Sequence, residues 1–525
     1  MSPGSREELP TRTTSCGLCS LACPQRQEVV GGTLTCSASI GPPPCERSAT
    51  GAPLLQTEKR LRTPGVGRSP QRQDESWTVA INAAADLLRG CVQRHGSNAV
   101  AVLCSSSLTL ESAWMARQLA LDGMNTTWIC SLGNAIRGGQ RQDLDPLLGH
   151  TSSTCTRGDL QRADVVLLVG ADPHRSHPGL AVLLERAKAN GARVVVLHSS
   201  YTDAVHDASH WLDPRRGTLS TLLASLVARV RTTMGSQLGA VSPSLGDAIE
   251  DALDGHDEAA ACATTGTTSD DLEVLTTLLC EAERVVAVYD LDDTAERSQG
   301  DLALLAGLLA QLSALTAPGC GLLLLRAEAN QAGIVLADLY CDLGPALEEG
   351  KLRGLLVIGE DPLSRPELAP GLRSLETLVV VDAHTSLTAR TADVVLPMPT
   401  VIESTGTFVA CDGCIKSLEP ALSPPAGRQL HDIINALAVA LGAPACPSDL
   451  HALRGLISAE LGRDPSFLER LRAEAGSWDW RPMLGDRGGN LAHHADCWHV
   501  LNSSQNRLLE LIEARRRHDT SKEAT

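Results

Sequence analysis

Aromatic residues are scarce in this chain, which has two Phe, three Tyr and seven Trp among its 525 residues. The core must therefore be built from Leu, Val, Ala and Ile, and the chain is long enough for about two to four domains. Basic residues are too few to balance the acidic ones, and the formal net charge is −17. This charge argues against a nucleic-acid partner bound through broad basic patches.

Long apolar segments are also lacking. No stretch reaches the about 20 unbroken apolar residues of a membrane helix, and residues 1–14 contain no apolar signal core. The sequence therefore predicts a cytoplasmic protein without direct membrane insertion, peripheral to a membrane only through partner subunits. In that compartment we expect the 17 cysteines to be thiols or metal ligands and not disulfides.

The N-terminal part of the chain differs in composition from the rest. Residues 1–72 are rich in Cys, Pro, Gly, Ser and Thr and show little helical periodicity. They predict a small module of loops and a hairpin, with the hairpin over 28–34 and Gly31-Gly32 at its turn. A module this small needs an additional stabilising element, such as a metal site.

From residue 73 onward, short apolar runs alternate with amphipathic stretches. This alternation predicts an α/β fold with two doubly wound lobes, the first over 73–235 and the second over 236–445. Residues 446–525 predict a short helical C-terminal segment with a disordered charged tail. The runs predicted to form buried parallel strands are 99–103, 165–169, 193–197, 285–288, 322–325, 355–358 and 378–381.

The strongest chemical signal is the spacing Cys16-x2-Cys19-x3-Cys23, followed by Cys45. Four thiolates on loops can hold an iron–sulfur cluster, whereas structural zinc sites more often pair two C-x2-C motifs or add a His pair. The residues alone leave a [4Fe–4S] cluster, a zinc site and inert thiols open. Cys36 is the alternative to Cys45 as the fourth ligand.

Further motifs occur in a consistent order. They are C-x-R at 45–47, R-L-R-T-P at 60–64, A-D-strand-G-A-D-P at 163–173, S-H-P at 176–178, N-Q-A-G at 330–333, G-E-D-P at 359–362, and a run over 381–408 ending in E-S-T-G-T-F. With the cysteine spacing, they resemble the molybdopterin oxidoreductase superfamily, especially its member within NADH-quinone oxidoreductase and cytoplasmic formate dehydrogenases. The resemblance implies a [4Fe–4S] cluster with Cys45 as fourth ligand and Arg47 beside it.

The resemblance also implies a cofactor crevice at the turns that come after the strands. In catalytic relatives this crevice holds molybdopterin guanine dinucleotide with molybdenum or tungsten. The alternative is that the turns only connect strands. The turn residues implied to bind the cofactor are Gly170, Asp172, Asn330, Gly333, Gly359, Asp361, Gly406 and Thr407.

Several departures from the family pattern argue against tight pterin binding. His198, Leu219 and Ala410 replace polar residues of the family, and each lost hydrogen-bonding group should weaken binding by about 1–3 kcal/mol. Only 80 residues follow position 445, which predicts that the β-rich cap domain of catalytic relatives is missing. Cys130 stands near the family's metal-binding Cys, but Ser131 follows it where relatives have His.

Two weaker clusters complete the candidates. Cys411-x2-Cys414 could form a metal or redox pair, although with 17 cysteines one such spacing is expected by chance. His493, His494, Cys497 and His499 could bind a transition metal, although such groupings are usually incidental.

The favoured interpretation is an iron–sulfur electron-transfer subunit with a non-catalytic molybdopterin-type body. Its partners would be iron–sulfur or flavin subunits of a respiratory or formate- or hydrogen-oxidising complex. One alternative is a catalytic molybdenum or tungsten subunit that oxidises formate or a formyl group. The other is a metal-stabilised assembly or scaffold protein.

Overall fold

The computed structural model describes residues 11–30, 33–39, 45, 59–132, 153–206, 208–291, 300–315, 317–337, 339, 341, 343, 346, 349–366 and 368–460. Strands β1 to β17 are, in chain order, Thr11–Ser15, Pro24–Val30, Thr33–Ser39, Gly65–Val66, Gln73–Asp74, Val100–Cys104, Ile129–Ser131, Val165–Val169, Arg193–Leu197, His210–Leu212, Val285–Asp290, Gly321–Leu325, Gly354–Ile358, Thr377–Asp382, Val394–Pro397, Gly406–Val409 and Ile415–Leu418.

Helices connect most of these strands. Helices α1 to α16 are, in chain order, Trp77–His95, Leu110–Gln118, Arg157–Leu160, Pro173–Ser176, Pro178–Ala189, Asp203–His206, Leu219–Met234, Pro243–Leu253, Glu258–Thr265, Ser269–Glu281, Asp301–Gln311, Gln331–Leu336, Ala369–Leu372, Leu387–Thr391, Leu430–Leu441 and Leu450–Glu460.

Two parallel sheets form the body of the molecule. One has the strand order β10-β9-β8-β11-β12, and all of its neighbouring strands are parallel. The other has the order β5-β4-β15-β14-β13-β6-β7 and is parallel from β15 to β7. Strands β1 to β3 form a small antiparallel sheet, and β16 pairs with β17 in a hairpin.

Strand β8 is apolar at every position, and both of its faces are buried. In β8, Val165, Leu167 and Val169 pack into the apolar cluster on one face of the five-stranded sheet. Val166 and Leu168 pack into the cluster on the opposite face. Full burial of such a side chain contributes about 1.5–3 kcal/mol, so burial on both faces of the sheet stabilises the core.

The predicted α/β class is confirmed, and every predicted parallel strand coincides with an observed one to within a few residues. The predicted hairpin is also present, since Val29 pairs with Leu34 and Val30 with Thr33. Its turn, Gly31-Gly32, lies outside the described residues. The predicted C-terminal helix is observed over Leu450–Glu460, and residues 461–525 are not among those described.

The division expected at residue 235 does not separate the two sheets. The five-stranded sheet takes β8 to β10 from the first predicted region and β11 and β12 from the second. The seven-stranded sheet combines β6 and β7 with β13 to β15. The chain just after the expected boundary forms α8 and α9, which pack on α7. Parallel strands can pair across any length of chain, so composition did not reveal the lobe boundaries.

The helices of the described residues bear on the prediction that the chain has no membrane-spanning segment. None of their helices combines the length and the hydropathy that crossing a bilayer requires.

Candidate functional site

Three of the four predicted cluster ligands lie on one tight loop. Strands β1 and β2 pair antiparallel with Ser15 opposite Pro24, which closes the loop at its base. The Cys16 amide donates to the Cys23 carbonyl at 2.7 Å, and the Ala22 amide donates to the Cys19 carbonyl at 3.1 Å. The strand pairing therefore presents Cys16, Cys19 and Cys23 on a single turn of chain.

The other three predicted ligands lie close enough to Cys16 to affect its thiol. Burial raises the pKa of Cys16 to about 12, and the neighbouring Cys19, Cys23 and Cys45 contribute to the rise. Burial also raises the pKa of Cys23, while Arg157 lowers it. A buried thiol with a raised pKa loses its proton readily when a metal binds its sulfur and displaces the proton to solvent, and the iron of a cluster would bind these sulfurs in this way.

Across the residues that the structure describes, no three His, Cys, Asp or Glu side chains converge closely enough to hold an ion. Cys16 and Cys19 are buried, and Cys23 and Cys45 are partly exposed. The Cys36 side chain and Arg47 lie outside what the structure describes, so the choice between Cys45 and Cys36 stays a prediction.

A buried histidine ties the cysteine loop to the five-stranded sheet. His177 Nε2 lies 2.9 Å from the Arg326 carbonyl and 3.1 Å from Ser20 Oγ. Because a carbonyl oxygen only accepts, Nε2 carries the proton. The Arg326 amide donates to the same Ser20 hydroxyl at 3.2 Å. The His of the S-H-P motif therefore holds the loop in place and is fully buried.

A buried ion pair lies on another side of the loop. Arg157 Nε donates to Asp412 Oδ2 at 2.9 Å, and Arg157 Nη1 lies 3.7 Å from Cys23 Sγ. Asp412 sits in the turn between β16 and β17, and the preceding Cys411 amide donates to the Ser20 carbonyl at 2.7 Å. The N-terminal loop, α3 and the β16–β17 turn thus meet around Cys23.

A cavity of about 260 Å³ opens beside the same loop. It lies at the carboxyl ends of the parallel strands of the seven-stranded sheet, where open α/β sheets bind ligands. Gly17 and Leu18 of the cysteine loop form one wall. The polar side chains that line it are Ser105, Ser107, Thr109, Ser112, Asp382, His384, Thr400, Ser404, Thr405, Gln429 and His431.

Carboxyl groups dominate the charge near this cavity. Burial raises the pKa of Glu360 to about 8, and the neighbouring Glu328 adds to the rise. Glu328 Oε2 accepts a hydrogen bond of 3.4 Å from Ser105, which lines the cavity. Burial also raises the pKa of Asp382. This end of the sheet therefore resists further negative charge.

The model of the molybdopterin oxidoreductase family matches residues 60–440. This span is well over half of the chain and contains both parallel sheets. The chain belongs to the molybdopterin oxidoreductase family. The superfamily resemblance inferred from the motifs is thereby confirmed.

Individual molybdopterin oxidoreductase relatives are distant. YrhE of Bacillus subtilis (strain 168), which is named as a formate dehydrogenase, is 23% identical over 461 residues, covering 77% of this chain and 46% of that protein. The NADPH-Fe(3+) oxidoreductase subunit alpha of Geobacter sulfurreducens is 25% identical over 433 residues, covering 75% and 51%. The chain thus spans about half the length of these curated relatives.

A solved structure supports the fold. Acetylene hydratase from Pelobacter acetylenicus superposes with a TM-score of 0.67 at 15% sequence identity, covering 90% of this chain and 73% of that one. At this identity the likeness concerns the molybdopterin oxidoreductase fold alone.

Several of the predicted cofactor residues are engaged in internal contacts. Asn330 is fully buried, and its amide donates to the Leu108 carbonyl at 2.6 Å and accepts from the Val409 amide at 2.7 Å. Thr407 donates through its amide and its hydroxyl to Glu111 at 2.9 and 3.0 Å. These contacts hold strand β16 against α2 and against the start of α12.

At two of the predicted glycines, a neighbouring side chain lies so close to the backbone that a Cβ would not fit. A Cβ at Gly406 would lie 2.6 Å from Thr109, and a Cβ at Gly333 would lie 2.2 Å from Asn330. Gly359, with φ of 74°, lines the cavity. Gly170, with φ of 53°, follows β8 and donates to the Leu197 carbonyl at 2.9 Å.

The three departures from the family pattern are buried. His198 lies at the end of β9, where its Nδ1 accepts from the Ser200 amide at 3.0 Å. Leu219 starts α7, and Ala410 packs beside Phe408 in a small apolar cluster. None of these three side chains presents a carboxylate or amide to a ligand.

The cavity is a poor match for a phosphate-bearing pterin. Its lining supplies hydroxyl groups and two histidines, and no Lys or Arg is among the described lining residues. Phosphate groups are bound in proteins by Arg, Lys and clustered backbone amides. With Asp382 in the wall and Glu328 and Glu360 nearby, these residues do not fit an anionic dinucleotide cofactor.

The remaining candidates lie elsewhere. Cys130 is buried in β7 opposite Leu103, in an apolar cluster, and is not one of the residues that line the cavity. Cys411 packs into the apolar cluster that contains Cys19, whereas Cys414 packs beside Ala22. The cluster at 493–499 lies outside the described residues.

Sequence reasoning missed Arg157 and Asp412. The two residues are 255 positions apart, and each stands in an ordinary polar context. The only local signal is the capping box formed by Thr156 and Asp159, which fixes Arg157 at the start of a helix.

Proposed function

We propose that the chain is an iron–sulfur electron-transfer subunit, with one [4Fe–4S] cluster on Cys16, Cys19, Cys23 and Cys45. The observation that supports this best is the single tight loop that carries Cys16, Cys19 and Cys23 and is hydrogen-bonded to the body of the protein. When bound, the cluster would supply one-electron transfer, and the chain would supply ligation, burial and nearby charge.

The exposure of the ligands suggests how electrons would pass. Cys16 and Cys19 face the protein interior, while Cys23 and Cys45 are partly exposed. A partner subunit that docks over Cys23 and Cys45 would bring its own cluster or flavin close to this one. We propose such iron–sulfur or flavin partners, a cytoplasmic location, and peripheral attachment through them.

In this proposal Arg47 lies beside the cluster and raises its potential by favouring the extra electron. The first 72 residues form the cluster module, and the two α/β lobes serve mainly as scaffold and docking surface. Pterin binding would be weak, because Asn330, Thr407 and Asp361 are used in internal contacts and carboxyl groups surround the cavity.

A second candidate is a catalytic molybdenum or tungsten subunit that oxidises formate or a formyl group. The similarity to a Bacillus protein named as a formate dehydrogenase favours it. Cys130 would then be the metal ligand. The buried apolar surroundings of Cys130 argue against this role.

The test is metal and pterin analysis of the full chain, purified anaerobically from a host that makes the cofactor. We expect about four iron and four sulfide ions per chain, with pterin, molybdenum and tungsten far below one. Zinc, or no metal, would support an assembly or scaffold protein. Stoichiometric pterin, with formate oxidation lost in Cys130→Ala, would establish the catalytic alternative.

Single substitutions test the ligand assignment. Cys16→Ser, Cys19→Ser, Cys23→Ser and Cys45→Ser should each lose most of the cluster iron and the visible absorption. Cys91→Ser, at a buried thiol on α1, is the matched control and should retain the iron. Retention by Cys45→Ser together with loss in Cys36→Ser would show that the fourth ligand is misassigned.

A further inference from the structure

We propose that Arg157, held in place by Asp412, sets the reduction potential of the cluster carried by the N-terminal cysteines. The inference rests on the proposed function, because it requires that cluster. Arg157 acts here as a positioning charge and not as a ligand.

The geometry places the guanidinium between the cysteine loop and Asp412. Arg157 Nη1 lies 3.7 Å from Cys23 Sγ, and Nε is hydrogen-bonded to Asp412 Oδ2 at 2.9 Å. Its backbone is fixed at the first position of α3 by the capping box of Thr156 and Asp159. The charge therefore has a defined position beside one predicted ligand.

Both members of the pair are buried and charged. The Arg157 side chain is 16% exposed and that of Asp412 is 3% exposed. Burial alone would lower the pKa of Arg157, but Asp412 and Cys23 outweigh it and the pKa is raised. Burial would likewise raise the pKa of Asp412, but Arg157 and Lys416 outweigh it and the pKa is lowered.

Stability alone gives a weak reason for such a pair. Desolvation of two buried charges costs about as much as their attraction returns, and apolar replacements of similar volume are often equally stable. A charge held beside a thiolate has another effect, since nearby charge is one of the factors that set a cluster's potential.

The two charges act on the cluster with opposite signs. A cation favours the reduced cluster, which is more negative, whereas an anion disfavours it. Arg157 has the stronger effect at Cys23, since its influence on that thiol exceeds the opposing influence of Asp412. Lys416 adds a smaller positive contribution on the same side. The pair as a whole therefore raises the potential.

The experiment is a redox titration of the full, anaerobically purified chain, followed by the EPR signal of the reduced cluster. Arg157→Met should lower the midpoint so that the reduced-to-oxidised ratio at fixed potential falls at least tenfold, which is about 59 mV for one electron. Asp412→Asn should raise that ratio. Arg157→Lys should stay near the wild type, because it keeps the charge.

Two further variants guard against a structural explanation. Arg162→Met removes an exposed guanidinium from the same stretch, 58% exposed in its side chain, and should leave the midpoint unchanged. The double variant Arg157→Met with Asp412→Asn leaves no unpaired buried charge. It should keep its iron and titrate below the wild type, by less than Arg157→Met alone.

The outcomes separate the two proposals. A wild-type chain without iron and sulfide would overturn both. A normal cluster whose ratio stays within twofold of the wild type in Arg157→Met and in the double variant would overturn only the role of Arg157. Shifts of the same sign in Arg157→Met and Asp412→Asn would also overturn it, because loosened packing and not charge would then be responsible.

Discussion

The two parallel sheets each have a strand followed by Gly-x-Asp-Pro, yet the two turns are used differently. After β13, both oxygens of Asp361 accept hydrogen bonds, from the Leu387 amide at 3.1 Å and the Thr388 amide at 2.8 Å. After β8, Asp172 Oδ1 is buried and makes no hydrogen bond, and lies 3.7 Å from His174 Nδ1. The same motif therefore caps a helix in one lobe and leaves a carboxylate oxygen unsatisfied in the other.

The residue between Gly and Asp differs as well. Ala171 is buried in the apolar cluster that also contacts the cysteine loop. Glu360 lies near Glu328 and has its pKa raised to about 8. A motif thus fixes the backbone path, because Gly170 and Gly359 both take positive φ, while the packed neighbours decide the chemistry.

The largest expected effect concerns His177, which comes at the end of α4, the short helix that follows the turn after β8. His177→Ala should lower the free energy of unfolding by about 3–4 kcal/mol, because it removes the hydrogen bond to the Arg326 carbonyl and opens a cavity. His174→Ala, three residues earlier, is the control and should cost under about 1 kcal/mol. Denaturant titration measures both. Equal losses would mean that His177 does not anchor the cysteine loop.

The second effect compares the two aspartates directly. Asp361→Ala should cost about 2 kcal/mol, because it removes the hydrogen bonds to the first turn of α14. Asp172→Ala should change stability by less than about 0.5 kcal/mol, since one of its oxygens has no partner to lose. Thermal unfolding of the two variants side by side provides the comparison. A larger loss in Asp172→Ala would reverse it.

The third effect depends on pH. Glu360 has its pKa raised from 4.5 to about 8, so the folded state holds a proton that the unfolded state has released between these values. Wild-type stability should therefore fall as pH rises from about 5 to about 8 and then level off. Glu360→Gln should remove this fall and should be more stable than the wild type at pH 9, because it has no proton to lose.

The control for the pH experiment is Glu349→Gln, at a carboxylate whose side chain is 53% exposed. Its unfolding free energy should follow the wild type across the range. A pH profile of Glu360→Gln that is parallel to the wild type would show that Glu360 is ionised in the folded protein throughout.

The local sequence was sufficient to predict the strands and the α/β class of the fold. Runs such as Val165 to Val169 predicted buried strands because both faces of a parallel sheet must be apolar. The spacing of Cys16, Cys19 and Cys23 predicted a loop, and the strand pairing of β1 and β2 provides a loop that carries all three cysteines. Motif order was enough to recognise the family that the match over 60–440 establishes.

Tertiary structure decided which segments share a sheet and which polar groups are already in use. Asn330 and Thr407 resembled ligand-binding residues, but each is bonded to a segment that is distant in sequence. Arg157 carried no recognisable motif, Asp412 lies within Cys411-x2-Cys414 but gave no sign of its partner, and only folding brings them to Cys23. Sequence periodicity records how each segment is buried. It does not record its packing partner, which depends on the pairing of strands far apart in the chain.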